Sequence, residues 1–194
     1  MTAGLRDLLN ALAATDPSAA LALVNAAPAL ATERSSEGAR RGNAQAYFAP
    51  ALGCYLNEGD TALHLAAAAW RADLITRLVA LGADAQARNR MGATPLHLAA
   101  NGDPQSPRWR PDAQAAALSA LLAAGADPNA VDKHGATPLH KAVRTRCAAA
   151  VEALLDGGAD PALPTRNAPP RCASPPSPAA AAAAAQPPPR RSRR

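Results

Sequence analysis

The chain has few of the side chains that build a bulky core or a disulfide framework. Only five of its 194 residues are aromatic, whereas alanine fills 55 positions. This composition favours short helices in closely packed layers, because Ala lets backbones approach while Leu and Val supply most of the buried area. Its three cysteines, Cys54, Cys147 and Cys172, have no CxxC spacing. An odd, unpaired set indicates reduced thiols rather than disulfides.

The sequence also lacks the segments that direct a chain to or through a membrane. It has no apolar run long enough to span a bilayer, and residues 1–10 lack the basic-then-apolar pattern of a signal peptide. We therefore expect a cytoplasmic protein that makes no membrane contact.

Motifs that would indicate an enzyme are absent as well. The chain has no nucleophile elbow, no phosphate-binding Gly loop and no HExxH helix. His134 has no Cys or His partner at zinc-site spacing, and Cys54 has no recognisable activating partner. We expect no catalytic residues, no cofactor and no metal.

Charge is distributed unevenly along the chain. Residues 1–163 contain 14 Lys and Arg against 15 Asp and Glu, whereas residues 164–194 contain six Arg and no acidic residue. The formal charge of +5 therefore resides in the C-terminal segment, and the rest of the chain is close to neutral.

What the chain does contain is a pattern that occurs three times. The copies are GDTALHLAA at 59–67, GATPLHLAA at 92–100 and GATPLHKAV at 135–143, and their histidines lie 33 and then 43 residues apart. A Gly-Ala-Asp triplet repeats in the same register at 82–84, 125–127 and 158–160. The two landmarks agree, so one unit has gained ten residues.

A period of 33 residues with a Thr-Pro-Leu-His signature resembles the ankyrin repeat family over roughly residues 59–163. The resemblance implies an all-α, ankyrin-type helical solenoid, with repeats at 59–91, 92–134 and 135–163. It also implies hairpin-like connections between repeats, braced by hydrogen bonds of the motif histidines. Ankyrin-like stacks bind other proteins through the tips of these connections and the exposed face of the inner helices.

Individual residues of each unit have a mechanical role. Thr61, Thr94 and Thr137 are placed to cap the inner helix, and Pro95 and Pro138 occupy the first helical position. The outer helices carry Leu pairs in matching register, and Gly82, Gly125 and Gly158 follow them where a left-handed residue ends a helix.

Residues 1–58 precede the first clear repeat. Residues 4–30 predict two short helices, which form a degenerate repeat or cap. Residues 32–45 are polar and predict a loop. The segment 47–56 holds three of the five aromatic residues, and we expect it to pack on the first repeat.

The ten extra residues lie in the second unit, within the segment 101–112, where three prolines and a glycine argue against a continuing helix. Arg108, Trp109 and Arg110 place an aromatic ring between two cations on this loop. Two interpretations stay open: Trp109 is a contact for a partner, or it folds back to cover the loop.

The pattern fails after residue 163. A fourth Thr-Pro-Leu-His is due at 170–173, but the chain has Pro-Arg-Cys-Ala, and residues 164–194 predict a disordered Pro/Ala/Arg-rich tail. Read one nucleotide earlier, codons for residues 170–175 allow Thr-Pro-Leu-Arg-Leu-Ala. We therefore hypothesise that the tail is an out-of-frame remnant of a further repeat, alongside the alternative of a genuine tail.

The functional prediction is a non-enzymatic scaffold that binds another protein, with carboxylates on the partner clamped by arginine. The partner-binding candidates lie at the connection tips, after the inner helices and in the extra loop: Arg88, Asn89, Arg90, Asp132, Lys133, His134, Asn101, Arg144, Arg108, Trp109 and Arg110. The alternative is binding of nucleic acid or an acidic surface through the arginines of the tail. We expect a monomer, with weak self-association if the last repeat lacks a cap.

Overall fold

The computed structural model describes residues 2–14, 17–40, 42–107 and 109–165. Within these residues the chain forms α-helices arranged in consecutive antiparallel pairs, a solenoid that confirms the expected fold class. The helices are α1 (Ala3–Ala13), α2 (Pro17–Ala26), α3 (Ala62–Ala68), α4 (Ala72–Ala80), α5 (Pro95–Ala99), α6 (Pro111–Ala123), α7 (Pro138–Arg144) and α8 (Ala148–Asp156). The predicted tail lies outside the described residues from position 166 onward.

Each inner helix of the repeats begins at the predicted threonine. Thr61, Thr94 and Thr137 have extended backbone angles, and each forms a capping box with the histidine three residues later. The threonine N–H donates to histidine Nδ1 at 3.1 to 3.2 Å in all three units. Two orphan donors at each helix start are thereby satisfied.

The core is a continuous row of leucine and alanine side chains. Leu63, Leu96, Ala66 and Ala99 of the inner helices are fully buried. On the outer helices the buried residues are Leu74, Ile75, Leu78, Leu118, Leu121 and Leu154. Because alanine faces alanine between successive inner helices, α3, α5 and α7 stack closely despite the small number of large side chains.

The N-terminal helices α1 and α2 extend this core. Leu5, Leu8, Ala20 and Val24 are buried within the same hydrophobic cluster as the repeats. Helix α1 contacts α3, and α2 contacts α4, as one repeat contacts the next. The predicted helical pair is therefore confirmed as the first layer of the stack.

Residues 32–60 form an ordered wall rather than a simple loop. Two short strands, β1 (Phe48–Ala49) and β2 (Cys54–Tyr55), pair antiparallel, and short 3₁₀ helices occupy Pro28–Ala31 and Ala44–Tyr47. The Ala39 N–H donates to Leu56 O at 2.7 Å, and Ser35 exchanges backbone hydrogen bonds with Gly59 and Asp60. We call β1, β2 and the flanking residues 39–40 and 42–57 the hairpin wall.

The hairpin wall packs on the first repeat, as expected for the segment 47–56. Its buried contacts are aliphatic, from Ala49, Leu52 and Leu56. The rings of Phe48 and Tyr55 pack on each other with centroids 5.1 Å apart. Phe48 is nevertheless 37% exposed and Tyr55 is 47% exposed. Tyr47 packs against the core from the side, whereas the Phe48–Tyr55 pair lies on the surface of the wall.

The extra segment at 101–112 is pinned at its end by a hydrogen-bond network. The Trp109 indole N–H donates to Gln114 Oε1 at 2.9 Å, and the Gln114 amide donates to Ala99 O at 2.9 Å. Trp70 donates to the same carbonyl at 3.0 Å. This geometry favours the second interpretation of Trp109, in which the side chain folds back on its own repeat. Pro111 and Asp112 belong to α6 and not to the loop, because Pro111 begins that helix.

The last described repeat has an open end. Val143 is 58% exposed, whereas Ala67 and Ala100 at the equivalent position are fully buried by the following repeat. Leu155 is 42% exposed, although Leu154 beside it is fully buried. In the described part of the chain, no helix is both long enough and apolar enough to cross a membrane.

Candidate functional site

The connections between repeats are held rigidly by a polar residue at one position of each turn. We call residues 84–93 and 127–136 the first and second fingers. Asn89 Oδ1 accepts hydrogen bonds from the N–H groups of Met91 and Ala93, at 2.9 and 3.0 Å. Asp132 Oδ1 accepts the equivalent pair in the second finger, at 2.9 and 3.0 Å. Both side chains are buried, so the two fingers have the same internal framework.

Asn89 also ties the first finger to the repeat before it. Its amide donates to Asp60 Oδ1 at 2.8 Å, and the Asn57 N–H donates to Asp60 Oδ2 at 2.6 Å. Burial raises the pKa of Asp60 to about 6, against the lowering effect of these two hydrogen bonds. Asp60 is thus a buried carboxyl held in a structural network.

Asp132 differs from Asn89 in carrying a charge that a neighbouring helix compensates. Lys141 Nζ of α7 lies 2.8 Å from Asp132 Oδ2. Burial acts to raise the pKa of Asp132, but the lysine ammonium and the backbone N–H groups outweigh it and hold the pKa below its ordinary value. The carboxylate is ionised at neutral pH and fastens the second finger to the inner helix.

The motif histidines complete the framework. Because Nδ1 accepts the threonine N–H, the ring proton is on Nε2. His64 Nε2 donates to Ala93 O at 3.1 Å, and His97 Nε2 donates to Ala136 O at 3.0 Å. Burial lowers the pKa of both histidines to about 4. The expected bracing is confirmed for His64 and His97.

The fingers, the inner helices and the hairpin wall enclose a cleft of about 450 Å³, which we call the groove. The hairpin wall closes its N-terminal end with Arg40, Cys54, Tyr55 and Asn57, among others. The remaining lining comes from the two fingers, from α5 and α7, and from a position two residues after α5: Asn89, Arg90, Met91, Ala93, His97, Leu98, Asn101, Asp132, His134, Lys141 and Arg144. The groove therefore spans three consecutive units of the stack.

The floor of the groove changes in character along the stack. The residue after each motif histidine is Leu65, Leu98 and Lys141 in turn. Leu65 is 2% exposed, whereas Leu98 is partly exposed at the centre of the groove. Three residues further along, Asn101 and Arg144 are exposed at successive units. The floor thus runs from apolar at the hairpin wall to basic at α7.

Six of the predicted partner-binding residues come together in the groove. Arg90, Asn101, His134 and Arg144 are exposed there, whereas Asn89 and Asp132 line it while their polar atoms serve the finger framework. Within the described chain, the Arg144 guanidinium has no hydrogen-bond or ion-pair partner. We assign Asn89 and Asp132 to the support of the groove.

The other predicted residues lie elsewhere. The Arg88 guanidinium donates to Val131 O of the second finger at 2.7 Å, which braces one finger against the next. Lys133 is exposed on the second finger but does not line the groove. Trp109 is held by Gln114, and Arg110 precedes α6. Arg108 lies outside the described residues.

Sequence reasoning missed the hairpin wall's part in the groove and two residues of the floor. Arg40 and Tyr55 line the groove from a segment that was expected only to pack on the first repeat. Leu98 and Lys141 were hidden within the repeated motif. The signal for them was the substitution of Lys141 where the two earlier motifs have leucine.

Sequence models of ankyrin repeats match the chain at residues 37–107, 91–133 and 121–169, which together cover most of the molecule. These matches agree with the stack of capped helix pairs and histidine-braced fingers. The chain belongs to the ankyrin repeat family. Ankyrin repeats are generally protein–protein interaction modules.

Similar stretches occur in much larger curated proteins. Neurogenic locus notch homolog protein 1 of Xenopus laevis is 53% identical over 47 residues, which are 24% of this chain and 2% of that protein. The human protein of the same name is 51% identical over 47 residues, and human Neurogenic locus notch homolog protein 2 is 53% identical, with the same coverage. The match thus spans a small fraction of each relative's length.

Proposed function

We propose that this ankyrin repeat chain is a non-enzymatic interaction module that binds another protein through the groove. The observation that carries the proposal is the groove itself: a single cleft that spans three repeats, with a floor that runs from apolar at Leu98 to basic at α7 and with exposed arginines. Clefts of this size, mostly apolar and with a few convergent polar groups, are typical binding sites. The general role of ankyrin repeats in protein–protein interaction supports the same conclusion.

The division between framework and surface residues supports this location. Asn89, Asp132 and the motif histidines have their hydrogen-bonding groups used within the stack. Arg144, by contrast, has an exposed guanidinium without a partner in the described chain. Arginine is enriched where proteins bind partners, because its planar fork makes paired hydrogen bonds with carboxylates.

The location is tested by capture of a binding partner with matched variants of the full chain. R90A, N101A and R144A combined remove three exposed groove side chains, and none of the three is buried. E152A and D156A combined are the control, since both residues are exposed on the outer helix α8 away from the groove. Partners bound by the wild type and the control but lost by the groove variant support the proposal. Partners lost by the control alone would overturn it.

Deletion of residues 166–194 separates this function from the alternative of nucleic-acid binding by the tail. If the groove is the site, the truncated chain still captures its protein partner. If the tail arginines carry the function, deletion abolishes nucleic-acid binding. Nucleic-acid binding by the full chain should in that case weaken steeply with added salt.

We also propose that the protein acts as a monomer in the cytoplasm. The odd number of cysteines and their lack of CxxC spacing fit a reducing compartment. Sedimentation of the purified chain at two concentrations tests whether the protein is a monomer. A molecular mass that increases with concentration would contradict this.

A further inference from the structure

Building on the proposed function, we infer that the groove takes an extended, acidic segment of the partner. A large apolar side chain of that segment lies over Leu98 and a carboxylate lies at Arg144, with about three residues from the first to the second. Four features of the groove carry this inference: its charge, the order of its floor residues, their spacing, and the closure of one end.

The charge of the lining is unbalanced. Among the described residues of the lining, the cations are Arg40, Arg90, Lys141 and Arg144, and the one acidic residue is Asp132. Lys141 is compensated by Asp132, and Arg40 lies 2.8 Å from Glu58 Oε2. Arg90 and Arg144 are left without a compensating carboxylate in the described chain. A bound segment with acidic residues would supply the missing charge, in bidentate geometry at a guanidinium.

The order of the floor residues gives the segment a direction. Near the hairpin wall the exposed floor is apolar, at Leu98, with Met91 and Tyr55 beside it in the lining. One unit further, the equivalent floor position is Lys141, followed by Arg144. An apolar side chain is therefore favoured at the second repeat, and a carboxylate is favoured at the third.

The spacing follows from helix packing. Leu98 lies on α5, and Arg144 is at the end of α7, the next inner helix in the stack. Packed helix axes lie roughly 8–10 Å apart. An extended chain advances about 3.3 Å per residue. Arg144 also lies three residues, roughly 4.5 Å, further along its helix than the position equivalent to Leu98. The two offsets combine to about 10 Å, which corresponds to about three residues of an extended segment.

The hairpin wall favours a segment over a broad folded surface. Leu65, the floor residue of the first repeat, is 2% exposed, so the exposed floor begins only at Leu98. The wall residues Arg40, Cys54, Tyr55 and Asn57 line the groove at this end, and an extended chain can lie along the floor from the wall towards α7. Arg90 strengthens the enclosure, since its guanidinium donates to Ala39 O of the wall at 2.7 Å.

The test uses the full chain to select from a phage-displayed library of random short peptides. The enriched peptides should share an acidic residue about three positions from a large apolar residue. A fluorescein-labelled peptide with the most enriched sequence is then titrated by anisotropy. R144E should weaken its binding tenfold or more, on the order of a lost charge-assisted hydrogen bond. A peptide with Lys at the acidic position should bind R144E better than it binds the wild type.

Matched variants separate the groove from general electrostatics. R146E makes the same charge change two residues away, on an exposed side chain outside the groove, and should alter binding by less than about twofold. L98K tests the apolar position, and because Leu98 is partly exposed a lysine stem can lie along the floor with its ammonium in water. At high salt, where the added charge is screened, L98K should weaken binding of the peptide through the lost apolar contact, while circular dichroism stays that of the wild type.

The possible results distinguish the inference of an acidic segment from the proposed function on which it rests. Enriched peptides without acidic residues, or equal losses with R144E and R146E, would overturn the acidic segment. If such peptides still respond to L98K, the groove remains the binding site and only the ligand chemistry is wrong. If no selected peptide responds to either L98K or R144E, the proposed function fails as well.

Discussion

Lys141 reaches across from the inner helix α7 to the finger residue Asp132, and the two side chains form a 2.8 Å ion pair beneath the groove. The equivalent finger residue one repeat earlier is Asn89, which makes the same two backbone hydrogen bonds without a charge. The framework of the fingers therefore requires an acceptor at this position, not a carboxylate. The charge of Asp132 instead reduces the positive potential of the groove.

The substitution D132N should keep the fold and increase affinity for acidic peptides. Asn at 132 can keep the hydrogen bonds to the finger N–H groups but loses the ion pair with the largely buried Lys141, so the free energy of unfolding should fall by about 1–3 kcal/mol. Release of Lys141 adds one uncompensated cation to the lining, and binding of the acidic probe peptide should tighten several-fold at low salt. Anisotropy titrations measure this, with R146A as a control outside the groove. Unchanged or weaker binding by D132N would contradict the electrostatic account.

The network at Trp109 should contribute measurably to stability. W109F keeps the aromatic packing but leaves Gln114 Oε1, in a fully buried side chain, without its donor. We expect a loss of about 1–2 kcal/mol in urea unfolding. S119A, an exposed change on the same helix α6, should cost less than about 0.5 kcal/mol. Equal stability of W109F and S119A would show that the extra loop is not held by this bond.

Acidification should destabilise the fold before most carboxylates are protonated. In the folded chain the pKa values of His64 and His97 are lowered to about 4, whereas unfolded histidines take up protons near pH 6.5. Stability therefore falls as the pH falls from 6.5 towards 4. Asp60 acts in the opposite direction, because its folded pKa is about 6 and its protonation favours the folded state below that pH. Two histidines outweigh one aspartate, so the net loss is on the order of 3 kcal/mol.

Urea unfolding at a series of pH values checks this prediction. The midpoint should decline through the window from about pH 6.5 to 4.5. Stability that stays level or rises in that window would show that the histidine rings are not buried in the neutral form.

The pairing of residues 35–39 with residues 56–60 depends on Gly38. A Cβ at this position would collide with the Glu58 backbone N and the Asn57 carbonyl carbon, and backbone atoms cannot move aside as a flexible side chain does. G38A should therefore displace the wall, lower stability by about 2 kcal/mol or more and weaken groove binding. G42A is the matched control, because a Cβ there meets nothing within 4 Å. Thermal unfolding that is the same for both variants would contradict the close packing.

The repeated motif predicted the framework because each of its residues has a local task. Thr94 caps, Pro95 begins the helix and His97 braces the next finger, and these tasks depend on neighbours a few residues away or one period away. The course of the hairpin wall depends instead on pairing between residues around 35–39 and 56–60, which no local pattern specifies. The exposed position of Tyr55 follows from that pairing and could not be predicted.

The candidate binding residues show the same difference between features set by local sequence and features set by long-range contacts. Arg144 was predicted from its place after an inner helix, and it is exposed in the groove. Asn89 was chosen for its place at a finger tip, but its amide is committed to Asp60, a contact across 29 residues. Both residues were chosen as polar side chains on the expected binding face, and only the long-range partner distinguishes a framework residue from a surface residue.

The most direct test of groove binding is hydrogen–deuterium exchange of the full chain with and without a display-selected binding peptide. We predict that added protection is confined to the first finger around Arg90, the end of α5 at Leu98 to Asn101, α7 from Lys141 to Arg144, and the hairpin wall at Tyr55. Helices α6 and α8 should exchange as in the free protein. Protection confined to α6 and α8, or to residues 166–194, would contradict the account.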